Sequence, residues 1–516
     1  MFEGTTTLLV ACGLYVIVLL AIGWFGRRSR QSESLSDFYL ASRSLGPLVL
    51  LFTLFATQYS GNSLSGFPGQ TYREGLSYYM SVTFMVGIVG GYLLFAPTLY
   101  RESRRRRFVT PTDYLADRFG SPLLSYAAST ILAIALINFL LAQLMALGHA
   151  FAGLTAGQIP YWAGVVGGAT VILVYELLGG MRAVAWTDAL QGGVLFLGLL
   201  LAALMLVRVV GSPAEIVTVI EAVAPAKLAV PSLDSCALWL SSFLLLALGA
   251  PLYPQAIQRI YAAASLTDLR RALATMAVLP HVAITTVVFI GLAGIALYPD
   301  LSGAETDQIT FKVLTHLVAN EPLAYWPVLV VTVGVLAAIM STADSCLLSL
   351  SSIITKDFIA RWRQLDEQQA ERLTRLGSLV SVVIMAGLVV IALRPLTTLW
   401  DLLVIKFEIL IQLSPAFVLG TLHSRDDVRG FRSRDVLAGL AVGLALALGL
   451  YFTGNRRWHG LHAGTLGVAA NYLTVVGCRL LRQLRRTPNQ ALPVLLSRDR
   501  KHNPPVGTTR ADPLGE

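Results

Sequence analysis

Thirteen long apolar runs constrain this chain more than any other feature of its sequence. Each run approaches the roughly 20 residues that an α-helix needs to cross a bilayer. Backbone polar groups in lipid must be paired internally, so the runs predict an all-α polytopic membrane protein with about 13 transmembrane helices. The predicted spans are approximately 7–25, 47–71, 78–98, 122–150, 160–178, 185–207, 237–259, 273–297, 325–354, 376–393, 397–420, 436–453 and 461–479.

Composition agrees with this class. Hydrophobic residues make up 55% of the chain and charged residues 13%, whereas a soluble domain is about 25% charged. The mean hydropathy is +0.66. Four separated cysteines indicate neither a disulfide framework nor a zinc site. The polar segment 487–516 is expected to be a disordered tail, too short for a second folded domain.

The distribution of lysine and arginine predicts the orientation in the membrane. With the N-terminus outside and the C-terminus cytoplasmic, cytoplasmic segments hold 31 of the 39 basic residues, external segments hold 7, and Lys406 lies within a span. The cluster of Arg101 and Arg104 to Arg107 is best explained as a topology anchor, rather than a lipid-headgroup or nucleic-acid site. We therefore expect a multi-pass protein of the cell membrane, with lipid but no nucleic acid as a partner.

The ninth span carries a stripe of one alanine and four hydroxyl-bearing residues. Its members follow the spacing i, i+3, i+4, i+7 and i+11, which places them on one helix face. They are Ala338, Ser341, Thr342, Ser345 and Ser349. A lipid-buried helix needs no hydroxyl groups, so the stripe indicates either a cation that takes oxygen ligands or a polar seam between helices.

Two spans are interrupted by helix-breaking residues. The second span contains the polar stretch 56–63 followed by Gly66 and Pro68, and the seventh contains Gly249, Pro251 and Pro254. Non-helical backbone at membrane depth is tolerated where it lines a cavity or is buried in protein. Breaks five spans apart indicate an inverted-repeat transporter with its site near the membrane midplane. The alternative is two independent proline kinks.

Freed carbonyl groups beside Ala56 and Tyr59 are candidates to form a sodium site with the hydroxyls of Ser341 and Thr342. A monovalent ion bound by neutral oxygens needs no compensating charge. Alternatively, the two hydroxyls bond back to their own helix.

Four segments carry a resemblance to a known family. GGMRAVAWTDALQ (179–191) and LAAIMSTADS (336–345) look like the two signatures of the sodium/solute symporter family, and 37–47 and 60–69 match its amino-terminal pattern. That family includes proline, pantothenate, sialic acid and glucose carriers. The resemblance implies a leucine-transporter-like core of two inverted five-helix repeats. The expected division is a first helix and loop (1–46), repeat 1 (47–207), an external loop (208–236), repeat 2 (237–420), two further helices (421–486) and the tail (487–516).

The resemblance also implies ion sites. The main sodium site maps to Ala56, Tyr59 and Ala338 through their carbonyls, and to Ser341 and Thr342 through their hydroxyls. A possible second cation site consists of Asp188, Asp344 and Ser345. The two neighbouring carboxylates there could equally carry a proton.

Charged residues at membrane depth give the candidates for solute binding. Lys406 and Glu408 lie near the middle of the eleventh span, on different faces of its helix. They either contact a zwitterionic or anionic solute or form interhelical salt bridges. The full set of candidates is Gln58, Ser60, Asn62, Ser63, Tyr253, Gln255, Lys406, Glu408 and Gln412, with Gln143 weaker. Each could instead make a hydrogen bond in helix packing. Proline is disfavoured as the solute, because proline carriers have an acidic residue at the position of Gln58.

Together these observations predict a secondary active transporter that couples sodium entry to uptake of a small polar organic solute by alternating access. A monomer should suffice, with sodium as coupling ion and no cofactor. No nucleotide-binding loop or catalytic nucleophile is recognised, so an enzyme is not expected. The alternatives are a proton-coupled carrier using Asp188, Asp344 or Glu408, and a transporter-like membrane sensor.

Overall fold

A computed structural model describes residues 5–29, 34–60, 62–155, 157–363, 369–394, 399–422 and 430–490. These residues are almost entirely helical. The helices are α1 (Thr5–Arg28), α2 (Leu35–Leu40), α3 (Pro47–Gln58), α4 (Phe67–Glu74), α5 (Val82–Arg106), α6 (Pro111–Phe119), α7 (Pro122–Leu154), α8 (Tyr161–Val209), α9 (Pro213–Val223), α10 (Leu233–Gly249), α11 (Pro254–Ala262), α12 (Leu266–Met276), α13 (Leu279–Leu297), α14 (Ile309–Asn320), α15 (Tyr325–Ser352), α16 (Arg361–Arg363), α17 (Ala370–Ala392), α18 (Leu399–Leu410), α19 (Ser414–Leu422), α20 (Ser433–Phe452) and α21 (Ala463–Gln490).

Shorter elements connect these helices. Strands β1 (Arg457–Trp458) and β2 (Leu461–His462) form an antiparallel hairpin between α20 and α21. Two π-helical segments, Asn62–Gly66 and Ile353–Ala360, continue α3 towards α4 and extend α15. The 3-10 turns are Ala41–Arg43, Gly75–Ser81, Pro225–Leu228, Ala250–Leu252, Gly303–Gln308, Pro322–Ala324 and Ile411–Leu413.

Within the described residues, 11 helical stretches are long and apolar enough to cross a membrane. The prediction of about 13 spans differs at two places. The second predicted span is divided, because α3 ends at Gln58 and the chain resumes as helix at Asn62. The fifth and sixth predicted spans are joined as α8, which bends at Gly180, where φ is 59° and ψ is −155°. The predicted segments are thus helical in both places, and the two totals differ because the structure divides one predicted span and joins two others.

Both predicted helix breaks are present. After α3, Tyr59 takes an extended conformation with φ −97° and ψ 112°. After α10, the 3-10 turn Ala250–Leu252 leads to Tyr253, with φ −53° and ψ 127°, and Pro254 starts α11. Proline fits the first turn of a helix because its missing N–H would have no intrahelical partner. The breaks leave backbone carbonyl groups free near the centre of the protein.

The ends of the two broken helices are joined by backbone hydrogen bonds. Leu45, just before α3, donates its N–H to the carbonyl of Ala262 at 3.0 Å. It accepts one from the N–H of Ala264 at 2.9 Å, just after α11. The guanidinium of Arg43 donates to the carbonyl of Phe108 at 2.7 Å, which places this junction beside the arginine-rich end of α5. We call that side of the protein the arginine-rich side.

Helix α15 lies at the centre of the bundle. Residues 334–352 are all buried, and the helix packs against α8, α7, α3 and α11. In contrast, α1 is mostly exposed, as expected for a helix that faces lipid. The hydroxyl stripe of α15 therefore faces protein all along its length.

Candidate functional site

Five oxygen atoms converge where the first helix break meets α15. The Ser341 hydroxyl lies 3.5 Å from the Ala56 carbonyl and 3.1 Å from the Ala338 carbonyl. The Thr342 hydroxyl lies 3.5 Å from the Ala56 carbonyl, 3.3 Å from that of Tyr59 and 3.0 Å from that of Ala338. All five residues are completely buried. These are the five residues predicted for the main sodium site, and the structure brings them together.

The local sequence explains this convergence. Because α3 stops at Gln58 and Tyr59 is extended, the Ala56 and Tyr59 carbonyls can turn towards α15. Ser341 and Thr342 also bond back to the Ala338 carbonyl of their own helix. The two hydroxyls thus bond back to their own helix, as one alternative predicts, and they also lie within 3.5 Å of carbonyl groups at the first break.

The five oxygens share only two hydroxyl protons. Three carbonyl groups can only accept, and each hydroxyl can donate one hydrogen bond at a time. The cluster thus has more acceptors than protons and no formal charge. In the described part of the chain, no group of three or more His, Cys, Asp or Glu residues could hold a metal ion. The chemistry of this cluster therefore suits a monovalent hard cation held by neutral oxygens.

An arginine lies among the residues predicted for a second cation. The Nη2 atom of Arg259 is 2.5 Å from Oδ2 of Asp188 and 2.5 Å from the Ser345 hydroxyl. Its Nε atom donates to the Thr53 hydroxyl at 2.6 Å, and Thr53 donates to the same Asp188 oxygen at 2.5 Å. Neither Arg259 nor Asp188 has any exposed side-chain surface. The fixed guanidinium therefore occupies the position at which the sequence suggested a second ion.

Asp344 borders this network. It accepts a hydrogen bond from the Tyr175 hydroxyl at 2.7 Å and one from Ser345 at 3.1 Å. Asp344 and Asp188 are both completely buried, and Arg259 is the basic residue that contacts this cluster. Arg259 thus pairs directly with Asp188 and is linked to Asp344 through the Ser345 hydroxyl.

Lys406 lies in a separate aromatic cluster at the second helix break. Its Nζ atom is 3.3 Å from the ring centroid of Phe139, on α7. It is 4.8 Å from the ring of Tyr253 and 4.8 Å from that of Phe407. The rings of Phe139 and Tyr253 are stacked with centroids 5.0 Å apart. We call Phe139, Tyr253, Phe407 and Lys406 the lysine cage.

Other predicted solute residues line the two helix breaks. The Gln58 side chain donates to the Tyr92 hydroxyl at 2.6 Å, and the Ser63 hydroxyl donates to the Gln58 carbonyl at 3.3 Å. Ser60 accepts backbone hydrogen bonds from Ser63 and Leu64. Gln255 donates to the Cys346 sulfur at 3.6 Å, and its side-chain oxygen has no partner within the described residues. The side chain of Asn62 lies outside the described part of the structure.

Two further candidates do not reach this region. Glu408 lies 3.7 Å from His462 and packs on Gly464, while Gln412 donates to the Gly464 carbonyl at 2.9 Å. Asn471 in turn donates to the Gln412 carbonyl at 2.8 Å. Lys406 and Glu408 face different sides of α18, as their i, i+2 spacing predicts, and the side of Glu408 faces α21. The structure thus places Glu408 and Gln412 in helix packing. Gln143 bonds to the Phe139 carbonyl of its own helix.

Sequence reasoning missed several residues of these clusters. Arg259 and Thr53 contact Asp188, and Tyr175 contacts Asp344. Phe139 shares α7 with the weaker candidate Gln143, and Tyr92 lies on α5, a helix with no predicted candidate. Arg259 carried the strongest available signal, because it is a basic residue at the end of an apolar span that contains a helix break. The aromatic residues gave no signal, since membrane helices are rich in them.

The fold and these clusters together indicate the class of membrane protein to which the chain belongs. Two broken helices that meet a central polar helix are typical of secondary transporters with inverted repeats. The sequence from residue 38 to residue 431 matches the model of the sodium:solute symporter family. This chain therefore belongs to the sodium:solute symporter family, and it is a membrane protein that acts as a sodium-coupled symporter.

Relatives cover most of the chain. The osmoregulated proline transporter OpuE of Bacillus subtilis is 28% identical over 90% of this chain and 87% of its own length. The sodium/pantothenate symporter of Escherichia coli is 27% identical over 85% of this chain and 90% of its own length.

Solved structures agree on the fold. A sodium-coupled sialic acid symporter in a substrate-bound outward-open state has a TM-score of 0.74 at 18% identity, covering 92% of this chain and 98% of its own. Mhp1, a nucleobase-cation-symport-1 family transporter, has a TM-score of 0.58 at 18% identity, covering 88% of this chain and 97% of its own. The predicted family and the all-α inverted-repeat fold are both confirmed.

Proposed function

We propose that the coupling sodium ion binds the five oxygens of Ala56, Tyr59, Ala338, Ser341 and Thr342. This proposal rests on one observation. The cluster is completely buried and uncharged, and its oxygen atoms can accept more hydrogen bonds than its hydroxyl protons can donate. Without a cation, the Ala56 and Tyr59 carbonyls at the break depend on two hydroxyl protons that also bond to the Ala338 carbonyl, which already accepts a backbone N–H within α15. An unsatisfied buried carbonyl costs about 1–3 kcal/mol, and a monovalent cation relieves that cost without introducing a counter-charge.

Sodium at this position joins the first helix break to α15. The Ala56 and Tyr59 carbonyls belong to the broken helix, and the other three ligands belong to α15. Binding therefore orders the break that also carries Gln58 and Ser60. By linkage, a solute that needs the ordered break raises the affinity for sodium by the same factor as sodium raises the affinity for solute.

The transported solute is a small polar organic molecule. The relatives are named for proline and pantothenate, and the fold neighbour for sialic acid. Polar groups at the two breaks support a small solute bound between α3, α11 and α18. The excess of basic residues on one side supports an N-terminus outside and a C-terminus in the cytoplasm, with uptake as the direction of transport.

The position of Arg259 supports a single coupling sodium ion. Its guanidinium donates to both Asp188 and Ser345, which are two of the three residues considered for a second cation. A second sodium ion there would face a positive charge that is fixed to α11. We therefore assign one sodium ion to each transport cycle, with Arg259 as the permanent cation of the second position.

Proton coupling has one specific observation in its favour. In the described structure Arg259 pairs with Asp188, and Asp344 beside them has no basic partner of its own, so a proton on Asp344 would neutralise the cluster. In that case Asp344→Asn would abolish the response of uptake to a pH gradient. Unchanged sodium binding by that variant would still support the five-oxygen site.

Purified protein in detergent provides the test of the sodium site. A ligand that binds only the folded state raises the apparent stability by mass action. We expect sodium chloride to raise the thermal midpoint in a saturable way, while potassium and choline chloride at equal ionic strength do not. Equal midpoints in all three salts would contradict the proposal.

A further inference from the structure

Lys406 is a buried amine without a hydrogen-bond partner. Its side chain is 1% exposed, and Nζ has no acceptor among the described residues. Its contacts are the faces of three aromatic rings, contributed by Phe139, Tyr253 and Phe407. An amine in this position is enclosed by π-systems and lacks a counter-ion.

The aromatic faces stabilise an ammonium group only in part. A cation over an aromatic ring gains about 0.5–2 kcal/mol, whereas burying an unpaired charge costs several kcal/mol. The nearby carboxyl groups are engaged elsewhere. Asp188 pairs with Arg259, Asp344 accepts from Tyr175, and Glu408 lies on the far side of α18 beside His462. Within the described structure, the counter-ion of Lys406 is therefore not supplied by the protein.

The lysine cage lies where a solute of an inverted-repeat transporter is expected. Tyr253 is the extended residue of the second helix break, and α18 also packs against Asn62–Gly66 at the first break. Gln255, two residues after Tyr253, has a side-chain oxygen without a partner among the described residues. A buried amine, three rings and a free acceptor are therefore contributed by α7, α18 and the second break with α11.

Resting on the proposed symport function, we propose that the solute carries a carboxylate whose negative charge pairs with Lys406. Its uncharged body packs against Phe139 and Tyr253, and a donor group of the solute, where it has one, bonds to the free oxygen of Gln255. A single ammonium balances one negative charge, so a monocarboxylate fits better than a phosphate dianion. An amino acid fits less well, because no described carboxyl group beside the cage is free to receive its ammonium group.

The wild-type protein tests the class of solute directly. Thermal midpoints are measured in sodium buffer with short aliphatic and aromatic monocarboxylates, with the matching primary amides, and with α-amino acids. We expect stabilisation by one or more monocarboxylates and little by the amide of the same skeleton. Stabilisation by amides or amino acids equal to that by carboxylates would overturn the proposal.

Substitution of Lys406 then tests the contact. In Lys406→Gln, the concentration of the selected carboxylate that gives half the stabilisation should rise roughly tenfold to a hundredfold, which corresponds to loss of a charge-assisted hydrogen bond. Lys406→Arg should retain more affinity. Lys312→Gln is the matched control, because Lys312 also lies near an aromatic ring, 5.9 Å from that of Tyr298, and lies outside the cage. An unchanged half-maximal concentration in Lys406→Gln would overturn the proposal.

The two proposals fail in different ways. If sodium stabilises the protein but only neutral or zwitterionic solutes bind, the carboxylate assignment fails and the sodium site stands. If sodium has no effect in the wild type, the proposed sodium site fails. Sodium stabilisation of Lys406→Gln shows that this variant is folded, and the wild-type screen remains decisive if it is not.

Discussion

The guanidinium of Arg259 and the carboxylate of Asp188 form an ion pair of 2.5 Å in which neither side chain reaches solvent. Asp188 belongs to α8 and Arg259 to α11, so the pair links a helix of the first predicted repeat to the broken helix of the second. Removing one member of a buried pair is far more costly than removing both, because the remaining charge is buried alone.

This asymmetry gives the first prediction. Asp188→Asn and Arg259→Gln should each lower the free energy of unfolding by about 3–5 kcal/mol, and the double variant should lose less than the sum. Thermal unfolding of all four proteins in one detergent measures the coupling. Additive losses would show that the two side chains do not interact as described.

Sodium affinity should depend on the two hydroxyl groups of α15. Ser341→Ala combined with Thr342→Ala removes two of five ligands, so the apparent sodium affinity should fall roughly tenfold or more. Binding of radioactive sodium to purified protein measures this. Thr332→Val is the matched control, because Thr332 is a buried residue of the same helix whose hydroxyl has no partner among the described residues. An equal loss of sodium affinity in Thr332→Val would show that the effect comes from disturbed packing of α15.

The carboxyl group of Asp113 should affect stability in a pH-dependent way. Its Oδ2 atom accepts hydrogen bonds from the backbone of Val109 and Thr110 and from Lys356, at 2.7, 2.9 and 2.5 Å. Burial raises the pKa of Asp113, but the Lys356 charge and these hydrogen bonds outweigh it, so that the pKa lies below the ordinary 3.8. A lowered pKa means that the ionised form stabilises the fold above pH 3.8 and that this stabilisation disappears in stronger acid.

Asp113→Asn should therefore lower the free energy of unfolding by about 1 kcal/mol at neutral pH. The difference from the wild type should not shrink until the pH falls below 3.8. Denaturant titrations across this range measure the difference. A gap that narrows between neutral pH and 3.8 would contradict the lowered pKa.

The bend of α8 requires glycine at position 180. A backbone with φ 59° and ψ −155° is almost confined to glycine, and a Cβ atom there would lie 2.8 Å from the Phe38 carbonyl. Gly180→Ala should lower the free energy of unfolding by roughly 2 kcal/mol or more. Gly193→Ala on the same helix is the control, because its Cβ atom would have no neighbour within 4 Å. Equal free energies of unfolding in the two variants would show that the bend does not require glycine at position 180.

The sequence alone predicted the features that depend on helix periodicity or on helix-breaking residues. The hydroxyl groups of Ser341, Thr342, Ser345 and Ser349 identified one face of α15, and proline and glycine marked the break at Tyr253. Both signals are local, because they depend on the geometry of one helix. Local signals left the pairing of Ser341 and Thr342 with the first break as one of two alternatives, and the resemblance to the symporter family favoured it.

Contacts between distant helices had no such signal. Arg259 closes the seventh predicted span, where a basic residue ordinarily marks the membrane boundary, and only the packed structure turns it towards Asp188. Glu408 shares a helix with Lys406, yet packing against α21 determines its environment. Helix periodicity separates the two faces of α18, but it does not tell which face meets the solute.

The backbone bridge at Leu45 has a mechanical consequence. Leu45 precedes α3 by two residues, Ala262 ends α11 and Ala264 follows it, so two backbone hydrogen bonds tie the two half-helices together on the arginine-rich side. We expect a displacement of either half-helix to move the other. Bending between the halves of each broken helix is then expected at the extended residues Tyr59 and Tyr253, which adjoin the oxygen cluster and the lysine cage respectively. Ligands bound at the two proposed sites would thus stiffen two hinges of one rigid unit.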